Sequence, residues 1–432
     1  MDFITQFENT LEQTVNCKLW AEAETLLAAY PATRQPYTLK LFSLINQVRQ
    51  HGSSHPLRIV LFKTENYILN YILGQFDLYF QRAKNETFLF DPSDYAQSSD
   101  KLFAFAKNGI DAAYFFNNVG LLQTLSDGRN LWEVLHVPCY NFLVDHPMYY
   151  SDSLDYAPDR TTLLCADLTH AEYATRFYPR IRNAVFLPTG GCELPKTCTS
   201  LQEREIDLLF IGSYKYHSAY EQDTLDHRIT KHLMQHTEHT FEQAVSLCLT
   251  SEDPRPLKEV IEQHRFTETN LTASYRLKLM QQLLEGGLEI HVYGNGWETT
   301  GLCRHPNFHL HPPVSFEEGL DLISHAKILL NHMAWFKHGS GERIFNAMAL
   351  GTVCVTDSSR FLQPILENGA NCLLYSLSEI CHTDSDIATR ISNLLSSQED
   401  WQKISDNGLK TAAEHTWQKH LHCAIMAVNL SV

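Results

Sequence analysis

His338, Gly339, Ser340, Gly341, Glu342 and Arg343 place a titratable ring, two glycines, a hydroxyl, a carboxylate and a guanidinium in one unbroken run. Such a run suits the phosphates of a nucleotide. Glycine lets the backbone turn tightly and approach a ligand where a side chain would clash. A helix is expected at once: Ile344, Phe345, Met348 and Ala349 recur at helical spacing from Glu342, Gly351 can end the helix, and VCVT at 353–356 reads as a buried strand. Free N–H groups and the positive end of the helix dipole would then face an anion. Arg343 offers a bidentate fork, and Lys215, which follows an apolar run, offers a mobile point charge. The same glycines also fit a plain turn, the two cations fit surface ion pairs, and Glu342 fits a first-turn acid that complements the dipole.

The elements that must hold these residues are legible as alternating strands and helices. LRIVLF at 57–62, TFLFD at 87–91, AAYFF at 112–116, YNFLVD at 140–145, TLLCAD at 162–167 and AVFLP at 184–188 are strand-like. After a polar linker, 193–205, come DLLFIGS at 207–213, LEIHVYG at 288–294, FHLHPPV at 308–314, KILLNH at 327–332 and TVCVTD at 352–357. Strands alternating with helices imply parallel sheets covered on both faces, so the fold class is α/β with two open sheets in series. Ligands of such sheets bind beyond the C-terminal strand ends. Those ends carry Gly212, Ser213, Tyr214 and Lys215, then Gly294, Asn295, Gly296 and Trp297, then Asn331 and His332. Each group has a structural alternative, since glycines terminate strands, asparagines cap and Trp297 packs. In the first half, Asp145 and His146 end a strand ahead of Pro147, Tyr149 and Tyr150, where the histidine could accept a proton or simply pack beneath the proline.

Four regions follow: an N-terminal helical extension over 1–55, an α/β domain over 56–195, a second over 205–415 with a helical insertion at about 220–286, and a closing helix within 416–432. The extension, with Phe7, Leu11, Val15, Leu19 and Trp20 on helical faces, serves either as a protein-interaction arm or as a brace on the next domain. FLQPILENGANCLLYSL reads as part of a final crossover.

Composition narrows the function classes. The 432 residues are 44% hydrophobic and 19% charged, as expected of a globular enzyme of two or three units. A formal charge of −16 argues against a nucleic-acid binder that works by broad phosphate neutralisation. The 11 cysteines stand singly with no C-x-x-C pair, which fits reduced cytoplasmic thiols. The first residues lack a signal-peptide pattern, no apolar run reaches spanning length, and any membrane contact would be peripheral.

FIGS near 210, YGNGW near 293 and LLNHMAWFKHGSGERIFNAMALGTVCVTD together resemble the group 1 glycosyl transferases of GT-B fold, in particular the CgeB-like, spore maturation protein-like subgroup. The resemblance covers residue 205 to the end, with LVDHP at 143–147 as the main echo in the first half. It implies two Rossmann-like domains facing across a cleft. The second would hold a nucleoside diphosphate sugar, a UDP-sugar foremost, and the first would meet an acceptor, whether protein, glycan or small molecule. Charge that builds on the departing phosphate would be met by Arg343 and Lys215, with no cofactor and no divalent metal. The only D-x-D string, Asp384 to Asp386, reads as solvent-facing. Many retaining members carry two acids eight positions apart across the loop. Here His338 and Asn346 stand at those positions, so Asn346 is left to bond a ribose hydroxyl and Glu342 to take over a sugar contact. That departure also keeps open a catalytically degenerate protein that positions a partner, and a sugar-nucleotide epimerase on the same fold.

Overall fold

The computed structural model describes residues 34–50, 56–217, 221–250, 253–381 and 385–429. The helical faces expected between Phe7 and Tyr30 lie outside the described residues. The chain divides into two compact units: the described residues through Cys165 with Ala171–Val185, and Ala166–His170 with the described residues from Phe186 onward. That division falls ahead of the polar stretch at 193–205.

The first unit is built on strands β1 (Arg58–Phe62), β2 (Glu86–Phe90), β3 (Ala112–Phe116), β4 (Cys139–Leu143), β5 (Thr161–Cys165) and β6 (Asn183–Phe186), in the order β2-β1-β3-β4-β5-β6. β1 pairs in parallel with both β2 and β3, and β3, β4 and β5 continue the parallel ladder. Parallel strands covered on both faces lose the polar alternation of a half-exposed strand, and β3 and β5 are buried at every position. One covering helix, Tyr67–Arg82, shows why the residues order: Asn66 accepts the Ile68 and Leu69 N–H groups as N-cap, and Leu69, Ile72, Leu73, Phe76 and Phe80 form the buried stripe. Phe76 packs edge-on against Phe116 at 5.1 Å, so Phe76→Ala would cost roughly 3–5 kcal/mol.

The second unit repeats the plan with β7 (Ile206–Ile211), β8 (Ile290–Tyr293), β9 (Phe308–His311), β10 (Ala326–Leu330), β11 (Val353–Thr356) and β12 (Leu373–Leu374), ordered β12-β11-β10-β7-β8-β9 and parallel throughout. β9 stops at His311 because Pro312 and Pro313 have no N–H to give a ladder. β12 falls in the segment expected to be crossover, since two strand residues are too few to show a period. The insertion after β7 is helical, as its spacing predicts: Leu225–Gln235, Phe241–Cys248, Leu257–Gln263 and a long helix, here α1 (Phe266–Glu285). The helix after the glycine loop, α2 (Glu342–Ala349), buries Ile344, Phe345, Met348 and Ala349. The closing helix spans Trp417–Asn429.

Candidate functional site

In the second unit the ends of β7 and β8 touch backbone to backbone. The Tyr214 N–H donates to the Asn295 carbonyl at 2.8 Å, and the Asn295 N–H to Ser213 Oγ at 3.1 Å. A Cβ on Gly294 would collide with the Gly212 carbonyl, and one on Gly296 with the Tyr214 carbonyl. These glycines are therefore required by chain crossing. Trp297 is fully buried, donates its indole N–H to the Gly212 carbonyl at 2.8 Å and meets Phe210 edge-on, so it packs as the structural alternative has it.

Two guanidinium groups converge on this strand end. Arg276, from α1, donates from Nη1 to the Ser213 carbonyl at 2.6 Å and lies near the rings of Phe210 (5.8 Å) and Trp335 (5.4 Å). Burial, then the like charge of Arg343, pushes its pKa down to about 10. Arg343, in the first turn of α2, brings Nη1 to 3.8 Å from where a Cβ on Gly212 would stand, and its Nε lies 3.6 Å from Glu342. Lys215 and Asn295 are exposed at the same strand ends, with Tyr214 half-buried against Trp297 at 5.3 Å. Guanidinium groups at one strand end can bind an anion through charge-assisted hydrogen bonds.

The glycine loop is fastened from behind and open in front. Asp167, fully buried, accepts the N–H groups of Lys337 and His338 at 2.7 Å each through Oδ2, and the Thr169 N–H and hydroxyl at 2.7 Å through Oδ1. Burial alone would raise its pKa, but His170 and these donors hold it below the ordinary value. A Cβ on Gly339 would collide with the Ala166 carbonyl, whereas one on Gly341 would meet nothing within 4 Å. Neither glycine has a left-handed φ, so the expected tight turn is replaced by a close approach at 339 and open space at 341. Gly341 is the N-cap of α2 with no side-chain cap bond, which leaves the first-turn N–H groups without a side-chain acceptor there. Ser340 is buried and exchanges bonds with Thr189, its Oγ donating to the Thr189 carbonyl at 3.2 Å and its carbonyl accepting the Thr189 hydroxyl at 2.7 Å.

Several expected ligand residues lie beneath this surface. Asn346 is buried, accepts the Cys192 N–H at 2.7 Å and leaves Nδ2 without a partner. Asn331 donates to Thr356 Oγ1 at 3.0 Å, and its carbonyl accepts the Tyr375 hydroxyl at 2.8 Å. Since that hydroxyl donates to Asn331, His332 Nδ1, 3.0 Å from it, is the donor, and Nε2 remains a buried acceptor without a partner. Burial and then the charges of Arg276, Lys337 and Arg343 push the His332 pKa far down, keeping the ring neutral. Asp357 accepts the Met333 N–H at 2.9 Å, and burial pushes its pKa up to about 7. His338 is half-buried, edge-on to Phe186 at 5.8 Å.

In the first unit Asp145 is exposed, accepting from Asn117 Nδ2 at 3.1 Å and the Tyr150 hydroxyl at 2.8 Å. His146 is buried and caps the turn at Pro147–Tyr150, Nδ1 accepting the Met148 N–H at 3.1 Å. Its burial fits the packed alternative, and its capping of the turn goes beyond it. Asn117 and Asn118 both hold left-handed φ (47° and 66°), strain that marks this strand end and that a local N-N pair after an apolar run could have signalled.

Residues 276–424 match a family described as glycosyl transferase-like. The match runs from Arg276 through the glycine loop and α2. No curated protein matches the sequence. Among solved structures, an alpha-glucosyltransferase in complex with UDP and a 13-mer DNA containing a HMU base aligns with TM-score 0.52 at 11% identity, over 87% of this chain and 99% of that one. Anabaena Alr3699/HepE in complex with UDP-glucose aligns at TM-score 0.49 and 10% identity, over 86% and 99%. A glycosyltransferase from Rickettsia africae ESF-5 aligns at 0.48 and 7%, over 87% and 98%. The first likeness shows the fold alone, the GT-B fold with its two parallel six-stranded sheets.

Arg276, Asp167, Asp357 and Tyr375 were not singled out in the sequence. Arg276 lies in an ordinary amphipathic run, YRLKLMQQLLEGG, and nothing local separates it from a surface cation. Asp386, of the D-x-D string, pairs with Arg390 at 2.6 Å, while Asp384 lies outside the described residues.

Proposed function

We propose that the protein transfers a glycosyl group from a nucleoside diphosphate sugar, a UDP-sugar first among them, to an acceptor hydroxyl. The observation that carries this is the convergence of Arg276 and Arg343 on the Gly212–Ser213 backbone beside the uncapped start of α2. A diphosphate there would meet two fixed guanidinium groups, helix N–H groups and the mobile Lys215. As the sugar–phosphate bond breaks, charge grows on the β-phosphate oxygen, and donors already in place lower the barrier without reorganising. On this reading cationic side chains do the neutralising, so turnover is metal-independent. The CgeB-like relationship, a cytoplasmic setting and a protein partner for the N-terminal residues belong to the same reading. Glu342 and His338, beside the loop glycines, are the side chains left to touch the sugar, and Asp145 is the candidate acceptor base. Incubation with a panel of nucleotide sugars should give slow release of the nucleoside diphosphate in the presence of chelator. Failure of every nucleotide sugar to bind would overturn the reading.

A second reading, a binding module without turnover, is favoured by Asn346, which spends its carbonyl oxygen on Cys192 instead of presenting it outward. Donor binding with no hydrolysis or transfer across an acceptor library would select it.

A further inference from the structure

The outer face of β8 and β9 is unlike the rest of the second sheet. Strands of a parallel sheet covered on both faces run apolar, yet here the residues on one face are His291 and Tyr293 from β8 and His309 and His311 from β9, all half-buried. The register places His291 directly opposite His309 and Tyr293 opposite His311, so all four share one face at the sheet's edge. Three imidazoles on that face are not needed to cover a core. Their nitrogens are organised instead. Nitrogens of His291 and His309 and a carboxylate oxygen of Glu289 all lie within 4.8 Å of one another, His309 Nε2 being 2.8 Å and His291 Nε2 3.8 Å from Glu289 Oε1. His291 Nδ1, turned the other way, is 3.1 Å from His311 Nε2, and the His311 ring stacks on Tyr293 at 4.4 Å.

We infer that Glu289, His291 and His309 form a divalent transition-metal site, suited to Zn2+, that staples strand β9 to β8. Two neutral imidazole nitrogens and one carboxylate oxygen are a donor set zinc takes up, at about 2.0–2.2 Å per bond, with water completing the tetrahedron. His311 acts outside the ligand set: its hydrogen bond to Nδ1 fixes the His291 tautomer and turns Nε2 toward the metal. A second group, His236, Glu238 and His239, offers a comparable spacing in the helical insertion, but on a loop beyond a helix end and with two of its three members exposed. The strand site is the better organised of the two because its backbone is held by ladder pairing.

The test uses untagged full-length protein freed of metal with chelator. Titration with Zn2+ should show one tight site per chain, and Co2+ should give the intense visible absorption of low-coordinate nitrogen and oxygen ligation. His309→Asn combined with Glu289→Gln should weaken Zn2+ binding at least a hundredfold and abolish the Co2+ bands, with the metal-free melting temperature unchanged. His236→Asn with His239→Asn should leave both signals intact. His311→Phe should weaken binding about tenfold while the Co2+ spectrum persists. Absence of a tight site in the parent protein overturns the inference, as does a site that survives the first double variant or is lost in the second.

Discussion

Arg276 and Arg343 show how far a residue's meaning depends on its surroundings. Each is a long cation in a helix, yet one is desolvated against Phe210 and Trp335 and donates to a carbonyl, while the other stands in the first turn over Gly212. A charged donor facing a phosphate contributes about 1.5–3 kcal/mol. Arg343→Ala is therefore expected to weaken UDP binding by tenfold or more in isothermal titration. Lys215→Ala, removing an exposed and mobile charge, should change it only a few-fold. Equal, negligible effects of both would remove the phosphate assignment. The two loop glycines make a second contrast. Gly339→Ala must displace the Ala166 carbonyl and should lower the melting temperature by several degrees, whereas Gly341→Ala meets open space and should melt like the parent while binding UDP less well.

At the scale of elements, the site is a loop held by a neighbouring segment. Asp167 gathers four donors, two of them N–H groups of the loop. Asp167→Ala should cost several kcal/mol and weaken UDP binding together, because the released Lys337 and His338 amides are left half-buried and unpaired. The pH dependence has a definite sign. The folded-state pKa lies below the ordinary 3.8, so this contribution is complete above about pH 4 and is lost as pH falls through the folded value. Acid melting curves of parent and Asp167→Asn should therefore converge at low pH. Elements are also where sequence reading did best. Eleven of the twelve strands among the described residues announce themselves as apolar runs, most plainly where both faces are covered, as in β3 and β5; β12, only Leu373–Leu374, has no room to show a pattern. The helix after the glycine loop was equally plain. The roles of Trp297 and Asn346 were not, since the bonds that decide them join residues 85 and 154 positions apart. Asp167 escaped for the same reason: its partners are some 170 residues downstream.

For the whole molecule, Asp357 couples the site to stability. Burial raises its folded-state pKa to about 7 from an ordinary 3.8, so the folded state favours the protonated acid. Its contribution is present below about pH 4 and is lost as pH rises to about 7, a change of roughly 4 kcal/mol at most. Asp357→Asn keeps an acceptor for the Met333 N–H and should flatten that slope in denaturant unfolding between pH 4 and 8. A slope unchanged by the substitution would show that Asp357 is charged throughout.

Ala166–His170 belongs with the second unit although the chain on either side of it belongs to the first. The two units are consequently sewn together by three crossings of the polypeptide, after Cys165, after His170 and after Val185. A gene fragment begun at the polar linker would encode a domain lacking twelve of its own residues, Ala166–His170 with Asp167 among them and Phe186–Cys192. For anyone wishing to graft, truncate or permute this protein, the safe seam is not where the sequence is most polar. It lies wherever the five-residue stitch is carried along.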